Sequence, residues 1–168
     1  MYRFILLLFV LMAPKLYGQD SILIAKKHLS NYEKTRLQRN VITIEKAKEI
    51  WSHQGLVISS VSLNDAQGVN LAKGIRFLYM NNSEPFYLDM DEIASVIQIL
   101  EAYISMLDER IDITEKTMNY ISRGDIWFSN KIVSPLIVRF EIKLATTIMP
   151  SATIKKIKNL TEGLKAAH

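Results

Sequence analysis

The sequence predicts an α+β fold, in which an antiparallel sheet carries two amphipathic helices on one face. Segment 136–144 alternates apolar and polar residues with period two, which is typical of a half-buried strand. Segment 89–111 repeats apolar residues at helical spacing, and a second helical repeat follows residue 150. Strand-like segments are grouped ahead of each helix, and this grouping disfavours a parallel α/β fold.

Residues 19–54 are predicted to form a helical extension ahead of the sheet. Apolar residues recur on one side of a helix over 20–38 and of a shorter helix over 43–51. The stripe of the first helix consists of Ile22, Ala25, Leu29 and Tyr32. Residues 41–44 read Val-Ile-Thr-Ile and equally suit a strand, which remains the alternative for the second segment.

Residues 55–112 are predicted to be the first half of the domain proper. Segment 56–63 is rich in β-branched residues, and 64–68 has the composition of a turn. Segment 74–80 alternates apolar and polar residues, and 85–88 is predicted to be a further short strand.

A long helix is predicted from Asp89 to about Ile111. Asp89 is a suitable N-cap, and Glu92 lies three residues later, as in a capping box. Acidic residues in the first turn also suit the helix dipole. The apolar stripe of this helix is formed by Ile93, Val96, Ile97, Leu100, Tyr103, Ile104 and Leu107.

Residues 113–168 are predicted to repeat this order as the second half. A hairpin over 117–129 turns at Arg123-Gly124-Asp125, and the alternating strand 136–144 follows it. Pro150 suits the start of a final helix. Its apolar stripe is Ile154, Ile157, Leu160 and Leu164.

The two long helices can be aligned with each other. The matched positions are Ala94 with Ile154, Ile97 with Ile157, Leu100 with Leu160, and Ile104 with Leu164. This match is the basis for predicting an internal strands-then-helix duplication. Because any two amphipathic helices align at several positions, coincidence remains the alternative.

One stretch of the chain resembles a group of small, uncharacterised exported bacterial proteins. The stretch is Gly74-Ile75-Arg76-Phe77, then Phe86-Tyr87-Leu88-Asp89-Met90-Asp91-Glu92-Ile93, then Leu100-Glu101. Those proteins similarly carry a Leu-Asp-x-Asp-Glu-Ile helix start followed by a second sheet-plus-helix half. The resemblance covers roughly residues 55–165. It implies the fold and export, and it implies no activity.

Residues 1–18 are predicted to be a cleavable signal peptide. Residues 4–13 are an unbroken apolar run behind a positively charged start, and Gly18 supplies a small residue before the expected cut. The run is far shorter than the roughly 20 residues that span a bilayer, and Pro14 ends it. We therefore expect the mature chain, 19–168, to be exported to the periplasm or the medium without a transmembrane segment.

The composition suits a single exported domain stabilised by packing. The chain contains no cysteine, so neither a disulfide nor a cysteine-linked lipid anchor is expected. A mature chain of the length of 19–168 is enough for one typical domain with its own core. Because secreted eukaryotic domains commonly carry disulfides, a bacterial origin is the simpler interpretation.

Charged residues occur in blocks of opposite sign. Segment 84–115 is mostly acidic, whereas 26–48 and 131–168 are mostly basic. We expect these blocks to neutralise one another within the domain, and the alternative is that they face charged partners. The clustered basic footprint of nucleic-acid-binding domains is missing, so nucleic acid is not an expected partner.

No catalytic, cofactor-binding or metal-binding residue is assigned from the sequence, and no cofactor is expected. His28, His53 and His168 lack the spacing of a zinc site, and there is no cysteine to supply a thiolate. Ser52 adjoins His53, but adjacency in sequence does not make a nucleophile–base pair. Neither Gly-x-Ser-x-Gly nor a glycine-rich phosphate loop is present.

Asp89, Asp91 and Glu92 come closest to a cation-binding motif. A calcium loop spreads its ligands over about 12 residues, with a glycine turn and a closing glutamate. Those features are missing around Asp89, so helix capping is the favoured interpretation.

Three aromatic residues, Tyr87, Trp127 and Phe128, are candidates for a binding surface. The alternative is that they pack in the core or at a sheet edge, where such residues are more often found.

The expected function is that of an exported, non-enzymatic domain that binds a protein, a peptide or an envelope component. One alternative is an enzyme whose carboxylates meet from distant positions. The other is a peripheral membrane module whose basic C-terminal helix, with Lys155, Lys156 and Lys158, lies on an anionic surface. A concave pocket with converging acids favours the enzyme, and an exposed apolar patch favours the binding domain.

Overall fold

The computed structural model describes residues 28–38, 42–79, 84–108, 118–134, 137–144, 147–148 and 153–168. The helices and strands in chain order are α1 (Asn31–Arg36), β1 (Thr43–His53), β2 (Leu56–Asp65), β3 (Asn70–Tyr79), β4 (Phe86–Asp89), α2 (Ile93–Asp108), β5 (Asn119–Ile121), β6 (Ile126–Ser134), β7 (Ile137–Leu144), β8 (Thr147–Ile148) and α3 (Ile154–Ala167). A 3-10 turn, Met90–Glu92, joins β4 to α2. The predicted signal peptide lies outside the described residues.

The α+β class and the antiparallel pairing are confirmed, and the strands divide between two sheets. The first sheet has the order β1-β2-β3-β4 and the second β5-β6-β7-β8, so chain neighbours pair throughout. The first sheet is followed by α2 and the second by α3. A unit of four strands and a helix therefore occurs twice, which is the arrangement that an internal duplication would produce.

The prediction of a helix over 43–51 is wrong, because these residues belong to β1. This strand pairs antiparallel with β2 along its length. A bulge between Glu49 and Trp51 shifts the register, and the Trp51 side chain is buried in the core. The predicted helical extension over 19–54 is thus replaced, within the described residues, by one short helix and one long strand. Pairing with a distant partner outweighed the local helical spacing.

The other N-terminal helix is shorter than the predicted 20–38, since α1 begins at Asn31. Ser30 is its N-cap, with the Oγ atom accepting a hydrogen bond from the Glu33 N–H at 3.1 Å. The Ser30 N–H in turn donates to the Glu33 carboxylate at 3.1 Å, which completes a capping box. The predicted residues 20–27 lie outside the described part of the chain.

The remaining predicted strands are found close to their expected places. Segments 56–63, 74–80 and 85–88 correspond to β2, β3 and β4, and 136–144 corresponds to β7. The predicted hairpin around residues 123–125 is formed by β5 and β6.

One hydrophobic core fills the space between both sheets and both long helices. Its buried members are Trp51, Leu56, Ile58, Ile75, Phe77, Phe86, Leu88, Ile93, Val96, Leu100, Tyr103, Ile126, Phe128, Phe140, Ile142, Leu144, Ile157, Leu160 and Leu164. The short helix α1 packs on the opposite face of the first sheet, where Tyr32, Val61, Leu63 and Tyr87 form a second buried cluster. Since both faces of this sheet are covered over part of its length, all four residues of β4 and most residues of β2 are buried.

The helices α2 and α3 lie side by side, and charges pair across them. The Lys158 Nζ atom lies 2.8 Å from the Asp108 carboxylate, and the Lys165 Nζ atom lies 2.9 Å from that of Glu101. These contacts join the acidic block to the basic block within the domain. Within the described ranges, no helix combines the length and the apolar character needed to cross a bilayer.

Candidate functional site

The candidate site is a groove between the segment that leads into α1 and the β5–β6 hairpin. It encloses about 480 Å³. One wall carries His28, Leu29 and Lys34, and the other carries Ile121 and Trp127.

The groove presents large apolar side chains to solvent. Trp127 is 43% exposed, Ile121 is 51% exposed and Leu29 is 37% exposed. Ile121 and Trp127 are directly opposite each other on β5 and β6, so their side chains share the outer face of the second sheet. Phe128, the next residue along, points the other way and is fully buried.

Asp89 ties the N-terminal wall of the groove to the sheet. Its carboxylate is buried and accepts hydrogen bonds from the backbone N–H groups of Asn31 at 2.8 Å and Tyr32 at 2.9 Å. The Arg123 Nε atom lies 3.1 Å from the same carboxylate. One buried anion thus holds the first turn of α1 and the hairpin in fixed positions, which is consistent with the dipole preference at a helix start.

Glu92 anchors the hairpin wall in the same way. Its carboxylate accepts hydrogen bonds from the Tyr120 hydroxyl at 3.0 Å and from the Arg123 N–H at 2.8 Å. It also accepts a hydrogen bond from the Asp89 N–H at 3.2 Å, as the predicted capping box requires. The exposed carboxylate of Asp91 completes the set by binding the Arg123 guanidinium.

The acidic motif therefore binds the arginine of the β5–β6 hairpin. Each of the three carboxylates, Asp89, Asp91 and Glu92, contacts Arg123. Among the described residues, no three His, Cys, Asp or Glu side chains are arranged to hold a metal ion. The motif gives the groove a rigid frame.

Gly124 allows the hairpin to approach β4 closely. A Cβ atom at this position would collide with the backbone carbonyl oxygen of Tyr87. The following residue, Asp125, has a left-handed backbone with φ of 58°, which an aspartate tolerates better than most side chains. The turn is therefore tightly constrained by backbone contacts.

His28 closes one end of the groove against the hairpin. Its N–H donates to the Asp125 carboxylate at 2.9 Å, and its ring Nδ1 atom lies 3.1 Å from the other oxygen of that carboxylate. The His28 side chain is well exposed. This pair links the chain ahead of α1 to the second half of the domain.

The structure separates the three aromatic candidates. Trp127 lies at the surface of the groove, whereas Tyr87 and Phe128 are buried. Ser52 and His53 are neighbours on β1, so their side chains point to opposite faces. This strand geometry separates the two side chains of the adjacent pair.

A second polar cluster lies under α1, and sequence reasoning missed it. The Glu45 carboxylate accepts hydrogen bonds from the hydroxyls of Tyr32 at 3.0 Å and Tyr87 at 3.2 Å. It also accepts one from the Arg76 guanidinium at 2.8 Å. These residues come from four different elements, so no local pattern could have grouped them. The rings of Tyr32 and Tyr87 stack at 4.9 Å, and the cluster fastens α1 to the first sheet.

The buried tyrosines predict a loss of stability in alkali. Burial, reinforced by Glu45, raises the pKa of Tyr87 to about 12 and raises the pKa of Tyr32 further. The unfolded chain releases these protons near pH 10, while the folded protein retains them. The free energy of unfolding should therefore stay level up to about pH 10 and then fall by up to about 1.4 kcal/mol per pH unit for each tyrosine.

Absorbance of tyrosinate and far-ultraviolet circular dichroism, recorded together against pH, measure this effect. We expect the buried tyrosines to ionise only as the fold is lost, whereas all tyrosines ionise near pH 10 in guanidinium. Y87F should remove one delayed ionisation. Simultaneous ionisation of every tyrosine near pH 10 in the folded protein would contradict the burial seen here.

Comparison with protein-family models, with curated proteins and with solved structures finds no match to this chain.

Proposed function

We propose that this protein is an exported, non-enzymatic binding domain that holds an apolar side chain of a protein or peptide partner in the groove. The observation that carries the proposal is the exposure of Trp127 beside Ile121 and Leu29, on a frame fixed by buried hydrogen bonds. The proposal of export rests on the apolar run 4–13 and the small residue Gly18.

The chemistry of the groove suits a peptide. Tryptophan is enriched at the energetic centres of protein interfaces, because it buries a large area while freezing few torsions. The groove walls add aliphatic surface from Leu29 and Ile121 and a cation from Lys34. An apolar anchor side chain flanked by an acidic or polar residue is the complementary partner.

The frame supports binding by reducing the cost of ordering the site. The hairpin wall is held by Glu92 and Asp89, and the N-terminal wall is held by the same Asp89 and by Asp125. A preorganised site loses less conformational entropy when a ligand binds. These carboxylates are also engaged with protein groups, which favours a binding role for the groove over acid–base chemistry.

The test pans a random peptide library displayed on phage against the purified protein. The protein is expressed from the full-length gene, so that the host carries out any processing. Selected peptides should bind the parent protein and lose at least about 30-fold in affinity with W127S, the loss typical of an interface hot spot. L37S is the matched control, because Leu37 is an exposed apolar residue outside the groove lining. The proposal fails if selected peptides bind W127S as well as the parent, or if L37S weakens them equally.

A further inference from the structure

The first strand separates its charges by face. Glu45 and Glu49 point toward the side of the sheet that α1 covers, whereas Lys46 and Lys48 point toward the side of the long helices. Because neighbouring residues of a strand point to opposite faces, this arrangement gives each face of β1 charges of a single sign. The face with the lysines is therefore uniformly positive along this strand.

A third lysine joins these two on the same face. Ser62 of β2 is the cross-strand neighbour of both Lys46 on β1 and Lys73 on β3. Two strand spacings place the backbones of these lysines about 10 Å apart. Lys48 lies one row further in, opposite Ser60. The three lysines thus surround two serine hydroxyls.

This basic band, defined as Lys46, Lys48, Lys73, Ser60 and Ser62, lines a shallow groove of about 250 Å³. None of the described residues that line it is acidic, and among the described residues no carboxylate pairs with any of its lysines. Three lysines without a carboxylate partner in the described part of the chain, next to hydroxyl donors, complement an anion.

The end of the sheet next to the basic band exposes several large apolar side chains beside the Asp65 carboxylate, which accepts hydrogen bonds from the Gln67 and Val69 N–H groups of the turn. Four large apolar residues there are between 39% and 79% exposed: Ile42, Ile44, Val69 and Leu71. Ile42 and Ile44 lie at the start of β1, Val69 lies in the β2–β3 turn, and Leu71 lies at the start of β3. The pairing of Thr43 with Asp65 brings these segments to one end of the sheet. We call these four residues the apolar tip. Half of the exposed large apolar residues in the described chain lie here.

We propose that the apolar tip and the basic band form a docking surface for a bilayer that contains anionic phospholipids. The inference goes beyond the proposed peptide groove and does not depend on it. The occupant is a lipid surface because an apolar edge followed by a band of lysines matches the order of acyl chains and phosphates at such a surface.

The dimensions of the strand agree with this arrangement. Peripheral apolar side chains typically enter a membrane by about 5–10 Å. Lys46 follows Ile44 by two residues, which is about 7 Å along the strand. When the apolar tip is inserted, the lysines of the basic band are therefore at the depth of the lipid phosphates.

The sequence offered the basic C-terminal helix as a membrane-facing element. We propose that the apolar tip and the basic band face the membrane instead. The apolar side chains of α3, Ile157, Leu160 and Leu164, are buried in the core, so they are not free to enter a bilayer in this fold. Lys158 is paired with Asp108. The residues of the basic band carry no comparable internal partner among those described.

The experiment measures the binding of the purified protein to lipid vesicles. The protein is expressed from the full-length gene, so that the host carries out any processing. The vesicles contain either pure phosphatidylcholine or equal parts of phosphatidylcholine and phosphatidylglycerol. We expect binding to the anionic vesicles only, weakened by salt. K46Q and K73Q should each reduce the affinity about fivefold, and the double variant about 25-fold. I44S should weaken binding through loss of the inserted side chain.

The control is the double variant K155Q and K156Q, which removes the same charge from exposed positions on α3. It should keep most of the affinity of the parent. The proposal is overturned if anionic vesicles are not bound, if K46Q with K73Q leaves binding unchanged, or if the α3 variant weakens binding equally. Inorganic phosphate that shifts the amide resonances around Ser62 without vesicle binding would assign the band to a soluble anion and also overturn the lipid proposal.

Discussion

Replacing Gly124 with alanine is expected to lower the free energy of unfolding by about 3 kcal/mol, at the upper end of overpacking effects. The added Cβ atom would meet the backbone carbonyl oxygen of Tyr87, which cannot rotate away as a side chain can. The β5–β6 hairpin would have to separate from β4. For a domain of this size, the melting temperature should fall by roughly 6–12 °C.

Urea unfolding and thermal melting of G124A measure the effect. G68A is the matched control, because a Cβ atom at Gly68 meets no atom within 4 Å. Gly68 has φ of 86°, so its replacement carries only the left-handed strain of about 1 kcal/mol. If G124A is no less stable than G68A, the close approach of the hairpin to β4 is wrong.

The G124A substitution should also weaken peptide binding in the groove. Trp127 and Ile121 belong to this hairpin and form one wall of the groove. Displacement of the turn should therefore also move this wall away from Leu29. Peptides that bind the parent should therefore bind G124A more weakly, even at temperatures where the variant remains folded.

Replacing Asp89 with alanine is expected to lower the free energy of unfolding by about 2–5 kcal/mol, the cost of leaving two buried backbone donors without an acceptor. The Asp89 side chain is buried, and its carboxylate accepts hydrogen bonds from the backbone N–H groups of Asn31 and Tyr32 beside the Arg123 guanidinium. Its removal leaves these two backbone donors without their acceptor, whereas Arg123 keeps its contacts with the other two carboxylates. We expect α1 to detach from the sheet before the rest of the domain unfolds.

Urea unfolding gives the total cost, and hydrogen exchange locates it. The amides of Asn31 and Tyr32 should lose protection in D89A under conditions where the core strands keep theirs. D91A is the control, because Asp91 binds the same arginine from an exposed position and should contribute less than about 1 kcal/mol. Equal losses in D89A and D91A would show that burial of Asp89 does not carry the effect.

The sequence predicted the elements whose pattern is local. The alternation in 136–144 gave β7, and the capping pair of Asp89 and Glu92 gave the start of the first long helix. The capping assignment is confirmed for Asp89 and Glu92, whereas Asp91 binds the Arg123 guanidinium. The other partners of Asp89 and Glu92, the amides of α1 and the Arg123 backbone, lie far along the chain and leave no trace in the local sequence.

The error over 43–51 has a similar cause. Its apolar residues happen to fall at helical spacing, while its charges alternate with the period of a strand. Strand β2 was available to pair with it, and the backbone hydrogen bonds of that pairing decided the outcome. The basic band could not be predicted from the sequence either. Lys73 lies near Lys46 only because of the register in which β3 and β1 pair with β2.

By itself the sequence determined the α+β class, most of the strand and helix positions, and the lack of disulfides, because these follow from periodicity and composition. The tertiary structure alone decided that there are two sheets, that Trp127 is exposed while Phe128 and Tyr87 are buried, and which charges are paired. The physical reason is that burial and pairing are properties of contacts between distant residues, and those contacts are fixed only when the sheets and helices pack together.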